Sequence, residues 1–331
     1  MKNAKRFDWS DYFGDKVKLD HTQNGAPLYD NTSSNNYYVS NCEFEECTEN
    51  GAIYIKSNNE IYTLIEDSAF RKCSSTYQGG SVYYGCHELG HFVQQQNSYS
   101  ESKAENSYMA FCQLVKSSST NENYAFDISV SQCGESESKG YKTSWISFGD
   151  IQIKNNNITY NKCIFHSSIN SVLQGKSGYC NFSTFRENNQ TREGSLAFGS
   201  HYKSNIQTVS YCNIIGNKCG TNKDQALFGC TYDTKVDHCV FLNNTAGCMF
   251  GIIDKDCTLT ISDSCIQSKS ISGSGTVTFE REDQIYSDLN QIISFYTELC
   301  FIPKQKQTTV SLSAFSRFAE TSPSLLYSSK R

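Results

Sequence analysis

Apolar and polar positions in this chain come in short bursts. GAIYI (51–55), GGSVYYG (79–85), SVLQG (171–175), GSLAFG (194–199), ALFG (226–229) and CMFGI (248–252) are brief apolar runs beside Gly or Ser. Runs of that length, rich in β-branched and aromatic residues, predict strands. A second kind of segment precedes most of them: NCEFEEC (41–47), DSAFRKC (67–73), DISVSQC (127–133), KCIF (162–165), STFRENN (183–189), YCNIIGN (211–217), HCVFLNN (238–244) and DSCI (263–266). Their common element is a small residue or Cys, a spacer, a large apolar anchor, and Asn or Cys three positions later. The anchors are assigned as Phe44, Phe70, Leu114, Val130, Phe165, Phe185, Ile214, Phe241 and Ile266, and the crowding of Leu114 and Val130 leaves the register open over 108–150.

The segments recur with a period. Cys47 to Cys73, Cys86 to Cys112 and Cys239 to Cys265 each span 26 residues, and Cys212 to Cys239 and Cys230 to Cys257 each span 27. A fixed period with two or three short strands per repeat predicts a solenoid, each coil using its neighbours as its core. Parallel strands stack about 4.8 Å apart, so equivalent residues lie over one another. Phe241 is then expected between Ile214 and Ile266. Cys212, Cys239 and Cys265 are expected as neighbours, as are Cys230 and Cys257.

The G-G-[AS]-[IV]-Y strands alternating with F-x-x-N/C segments resemble right-handed parallel β-helix proteins, in particular the large group found in trichomonad protists. The repeats are also similar to the GGAI and FxxN repeats of chlamydial polymorphic outer-membrane proteins. The resemblance spans about residues 37–280. It implies an all-β, right-handed parallel β-helix (the pectin lyase-like architecture) and a surface-exposed, adhesin-like role. The expected organisation is an N-terminal cap over 1–36, the β-helix over 37–281, an amphipathic capping helix over 282–300 carrying Ile285, Leu289, Ile292 and Tyr296, and a disordered Ser/Thr-rich tail over 301–331.

Composition narrows the function. With 20 Phe and 21 Tyr among 331 residues, the chain builds its core from residues that favour strands. A net charge of −5 and a pI near 5.7 give no electrostatic footprint for nucleic acid. The first 20 residues carry no apolar signal-peptide core, and no run of about 18 apolar residues predicts a membrane helix. Sixteen cysteines and sequons at Asn31, Asn157, Asn181, Asn189 and Asn243 pull toward secretion instead, and the compartment stays open. Cysteines one coil apart fall within disulfide distance. Without a signal peptide, buried free thiols packed as small hydrophobes are expected.

Two motifs carry candidate chemistry. His87-Glu88-Leu89-Gly90-His91 matches H-E-x-x-H, in which two His on one helical face hold zinc and the Glu activates water. Here it follows a strand, contains Gly90 and precedes FVQQQNSYSES, which has no helical stripe. A third ligand would have to be Glu101 or Glu105. The expectation is a polar bend, with no catalytic residues, metal or cofactor; His87 and His91 with Glu88 as base are the alternative. Val236-Asp237-His238-Cys239 resembles the V-x-I-D-H segment of pectate lyases, which add Asp ligands for calcium and an Arg base from neighbouring coils. This chain offers Ser210, Tyr211 and Asp263 nearby and no Arg between 193 and 280, so an Asx column at a bend is expected. The expected function is non-enzymatic binding or scaffolding through protein or glycan contacts on the long sides. A polysaccharide lyase or hydrolase is the second reading and a zinc peptidase the third.

Overall fold

The computed structural model describes residues 8–281 apart from 16, 24, 77, 87–89, 106, 116–119, 174–176 and 201–204. The expected capping helix over 282–300 and the tail over 301–331 lie outside the described residues. Within them the chain is a parallel β-solenoid with three faces. The first sheet has eleven strands, from His21–Gln23 to Thr276–Glu280; the second has ten, from Leu28–Asp30 to Ile271–Gly273; the third has nine, from Glu43–Glu45 to Cys265–Ile266. The strand pairs in all three are parallel. One coil shows the path: Tyr62–Glu66 on the first sheet, Ala69–Arg71 on the third, the short strand Ser74–Ser75, Val82–Cys86 on the second, then His91–Gln95 back on the first. Parallel pairing begins at His21, earlier than the expected start at 37.

The corners explain how so short a strand can turn. After the strands of the first sheet from Tyr37–Ser40 to Thr258–Ser262 one residue takes the left-handed conformation, at φ between 44° and 56° for Asn41, Asp67, Gln96, Asp127, Asn155, Phe182, Tyr211, His238 and Asp263. Asn and Asp tolerate that conformation; larger side chains pay more for it. Each N–H in this row still donates to a carbonyl of the next coil, as from Asp67 to Gln95 at 3.1 Å and from Tyr211 to Asp237 at 3.0 Å. A second left-handed row, including Glu46, Lys72, Glu101, Gln132, Tyr160, Glu187 and Asn243, closes the third sheet.

The core is a set of registered columns. Phe44, Phe70, Tyr99, Val130, Ile158, Phe185, Ile214, Phe241 and Ile266 pair successively on the third sheet. Phe241 lies between Ile214 and Ile266 and is fully buried. Two assigned anchors are corrected. Tyr99 takes the place given to Leu114, which lies on the second sheet, and Ile158 takes the place given to Phe165. The cause is the uneven coil length: Ile65 pairs with Gln94 and Gln94 with Ala125, steps of 29 and 31 residues that a fixed 26-residue frame misplaces.

No disulfide joins the fifteen described cysteines to one another, and fourteen of them are buried. Cys212 and Cys239 are neighbours, the Cys212 N–H lying 3.4 Å from the Cys239 Sγ. Cys265 is a neighbour too, its N–H donating to the Cys239 carbonyl at 2.9 Å, although in register it is Ser264 that faces Cys239, its Oγ accepting the Cys239 N–H at 3.0 Å. Cys230 pairs in register with Ile252, and Cys257 lies near enough to act on its thiol.

Helix α1, Trp9–Phe13, is capped by Asp8, whose side chain accepts from the Ser10 and Asp11 N–H groups. It lies against the outside of the first sheet. Trp9 approaches Tyr38, Phe13 packs edge-on to Tyr62 at 5.3 Å and to His91 at 6.3 Å, and Tyr12 meets Tyr124 at 6.5 Å.

Candidate functional site

His91 begins the strand His91–Gln95, while Cys86 ends the strand Val82–Cys86. His87, Glu88 and Leu89 fall outside the described residues. A zinc-peptidase motif needs both imidazoles on one helical turn, and His91 belongs to a strand. Its ring stacks on Tyr62 with centroids 4.3 Å apart. Its Nδ1 meets the Glu122 carboxylate, and its Nε2 lies 3.8 Å from Glu60. Glu101 stands at a left-handed corner 4.0 Å from the Arg71 guanidinium, and the Glu105 N–H donates to Ser75 at 3.2 Å. The carboxylates at His91 are thus Glu122 and Glu60, which the sequence reading did not name.

The second motif is brought together more closely. Asp237 ends a strand, His238 and Asp263 occupy successive corner positions, and one ligand atom from each lies within 4.8 Å of the others. Tyr211 stacks on His238 at 4.8 Å and Phe182 on Tyr211 at 5.2 Å. The stacking gives bulky residues at strained corners a compensating contact. His238 occupies the row of Asn41, Asp67, Asp127 and Asp263, and Asp237 stands one residue before it. An arginine does arrive, just past residue 280: Arg281 Nη2 bonds Asp263 at 2.6 Å and its Nε at 2.9 Å.

The chemistry of this set runs against catalysis. The Asp263 hydrogen bonds raise the Arg281 guanidinium above its ordinary value, the wrong direction for a base, and Arg281 in turn lowers Asp263. Asp237 is engaged on both oxygens, by His238 Nδ1 at 2.8 Å and by the Ser262 hydroxyl at 2.8 Å. A cation here would have to displace a bidentate guanidinium and a hydroxyl donor. The cluster is a ladder of internal pairs.

A concavity lies elsewhere. A groove of about 560 Å³ opens along the short strands Ser74–Ser75 and Lys103–Ala104 and the 135–141 loop. Its wall runs from Glu49 through Thr76, Glu105 and Tyr141 to Ile164, one residue from each of five successive coils. Met109 forms part of the lining and packs on Gly140, whose left-handed φ of 68° leaves no room for a Cβ against the Met109 Cε. Lys103 and Lys139 both pair with Glu135, which holds that carboxyl below its ordinary value. Tyr141 is 45% exposed and packs on Phe165 at 4.7 Å. No motif marks this groove in the sequence; the signal is the Gly134 to Gly140 interruption, GESESKG, where a coil swells outward.

No family model, curated protein or solved structure matches the chain.

Proposed function

We propose that this protein is a non-enzymatic binding scaffold that holds an extended glycan chain in the groove along its side. The observation that carries this reading is the groove's direction: it crosses five coils in line with the solenoid axis. Four strand spacings make it about 19 Å long, enough for several sugar units end to end. Its lining suits a polyhydroxylated ligand. The Ser74 and Thr76 hydroxyls and the Lys139 and Glu105 charges offer donors and acceptors, and the exposed face of Tyr141 offers an aromatic platform. The resemblance to surface-exposed β-helix proteins points the same way, toward an adhesin-like role at a cell surface.

The reading is tested by screening immobilised glycans with the full chain and with Tyr141→Ala and Thr76→Arg variants. The expected result is a glycan retained by the parent chain and bound at least about tenfold more weakly by both variants, about 1.4 kcal/mol. Equal binding by the variants moves the site away from the groove. Release of shortened glycan products would replace the scaffold reading with the lyase or hydrolase.

A further inference from the structure

Two outward rows run along the corner that closes the third sheet. One is Gln132, Tyr160, Glu187 and Gly216; the other, two residues further on, is Gly134, Lys162, Asn189 and Lys218. The residues between them, Cys133, Asn161, Asn188 and Asn217, are buried, and the N–H of each of the first three donates to the side-chain oxygen of the next. That ladder gives the surface above it a fixed floor. A groove of about 380 Å³ opens over it, across four coils. Gly134 and Gly216 leave its two ends without a side chain, and at Gly134 a Cβ would meet the Lys162 carbonyl oxygen at 1.9 Å.

The groove is positive in a chain whose net charge is −5. Lys162 and Lys218 are both exposed, and among the described residues neither amine pairs with a carboxylate. The one carboxylate in the wall, Glu187, is engaged by the Arg186 Nε at 2.9 Å. Lys103 stands in the same row two coils before Lys162, and its amine is taken up by Glu135. The groove beside Tyr141 differs in sign: three carboxylates, Glu49, Glu105 and Glu135, stand there against Lys103 and Lys139.

The spacing of the two free amines follows from register. Lys162 pairs with Asn189, and Asn189 with Lys218, in parallel. The lysines therefore leave the backbone two strand spacings apart, about 9.6 Å, with the Asn189 amide midway. An extended glycan advances by about one strand spacing per sugar. We propose that this groove binds an acidic glycan whose carboxylates fall on alternate sugars. Lys162 and Lys218 meet two carboxylates, and Asn189 offers a donor and an acceptor to the hydroxyls of the neutral sugar between them. Tyr160, 40% exposed, stands beside Lys162 and gives the chain an aromatic contact. The site is separate from the groove beside Tyr141 and does not rest on it.

The test titrates the full chain, at low salt and by fluorescence polarisation, with three labelled oligosaccharides of equal length. Hyaluronate carries a carboxylate on every second sugar, polygalacturonate carries one on every sugar, and chitin carries none. The parent chain should prefer hyaluronate to polygalacturonate by at least about threefold despite its fewer charges, leave chitin unbound, and lose hyaluronate as salt is raised. Lys162→Gln and Lys218→Gln should each weaken hyaluronate about threefold, and the double substitution about tenfold. Asn189→Lys, which places an amine on three successive coils, should turn the preference toward polygalacturonate. Lys235→Gln removes the same charge from the exposed side of the first sheet and should change nothing, and neither should Tyr141→Ala in the other groove. A parent chain that fails to bind hyaluronate, or that prefers polygalacturonate, overturns the proposal. So does an equal loss in Lys235→Gln, which would mean attraction by charge alone, or a loss in Tyr141→Ala, which would place the acidic chain in the other groove.

Discussion

Asn188 Nδ2 donates to the Ile158 carbonyl at 2.8 Å and to the Asn217 Oδ1 at 3.0 Å, joining three coils through one buried side chain. The relation repeats. Asn161, Asn188, Asn217 and Asn244 form a ladder in which each backbone N–H donates to the side-chain oxygen of the next, ending on Gln267. Replacing Asn188 by Leu removes these bonds and leaves the Ile158 carbonyl and the N–H of Asn161 without their side-chain partner. The expected cost is about 1–3 kcal/mol per stranded group. Urea unfolding should show the midpoint falling at unchanged slope; an unmoved midpoint would mean that water replaces the ladder.

Phe241 is the apolar counterpart. It is fully buried in register between Ile214 and Ile266 and packs edge-on to Phe250 at 5.1 Å. Truncation to Ala should cost about 3–5 kcal/mol, and Leu at the same place distinctly less. A loss below about 1 kcal/mol for Ala would show that the neighbouring coils collapse into the space.

The part of the fold legible in the sequence is the part with fixed spacing. From the inward residue on the first sheet to the anchor on the third is always five residues: Val39 to Phe44, Ile65 to Phe70, Gln94 to Tyr99, Ile153 to Ile158, Val236 to Phe241. Three more reach Cys47, Cys73, Ser102, Asn161 or Asn244. Two sharp left-handed corners fix that length, so a large apolar anchor followed three positions later by Asn or Cys recurs in most coils. The connections to and from the second sheet carry no such constraint, and their lengths vary. That is why cysteine spacing alone places Leu114 and Phe165 on the wrong column, and Tyr99, followed by Ser102 where other coils have Asn or Cys, escapes the pattern. The groove was illegible for a related reason: its wall takes single residues from five coils, a proximity that follows from register and from no local motif. Arg281 meets Asp263 across 18 residues in the same way, through register and not through a local motif.

The thiols give the stability a pH dependence on the alkaline side. Burial raises Cys73, Cys133, Cys163, Cys219 and Cys230 to about 12, against an ordinary value near 9. Between these values the unfolded chain has lost protons that the folded chain keeps, so stability falls as pH rises. The thiol contribution should be flat below pH 9 and decline from there toward 12. Native thiols should react with a disulfide reagent only as fast as the chain opens, because the thiolate is the reactive form. Rapid modification of several cysteines in the folded chain at pH 8 would show that the columns are accessible.

The last prediction concerns the zinc-peptidase motif. A metal bound by His91 must take one imidazole nitrogen at about 2.0–2.1 Å. Nδ1 is held by Glu122, and Nε2 faces Glu60 at 3.8 Å with the ring clamped flat on Tyr62. A zinc ligand must offer a lone pair, and the nitrogen engaged by Glu122 has none to spare while that contact is kept. His91 also sits on a strand rather than on the helical turn that the motif requires. Elemental analysis after dialysis against zinc and then buffer should find well under one zinc per chain, and Glu88→Gln should leave both the metal content and the thermal midpoint of the parent unchanged. One zinc per chain that is lost together in His87→Ala and His91→Ala would reverse this and bring the peptidase reading to the front.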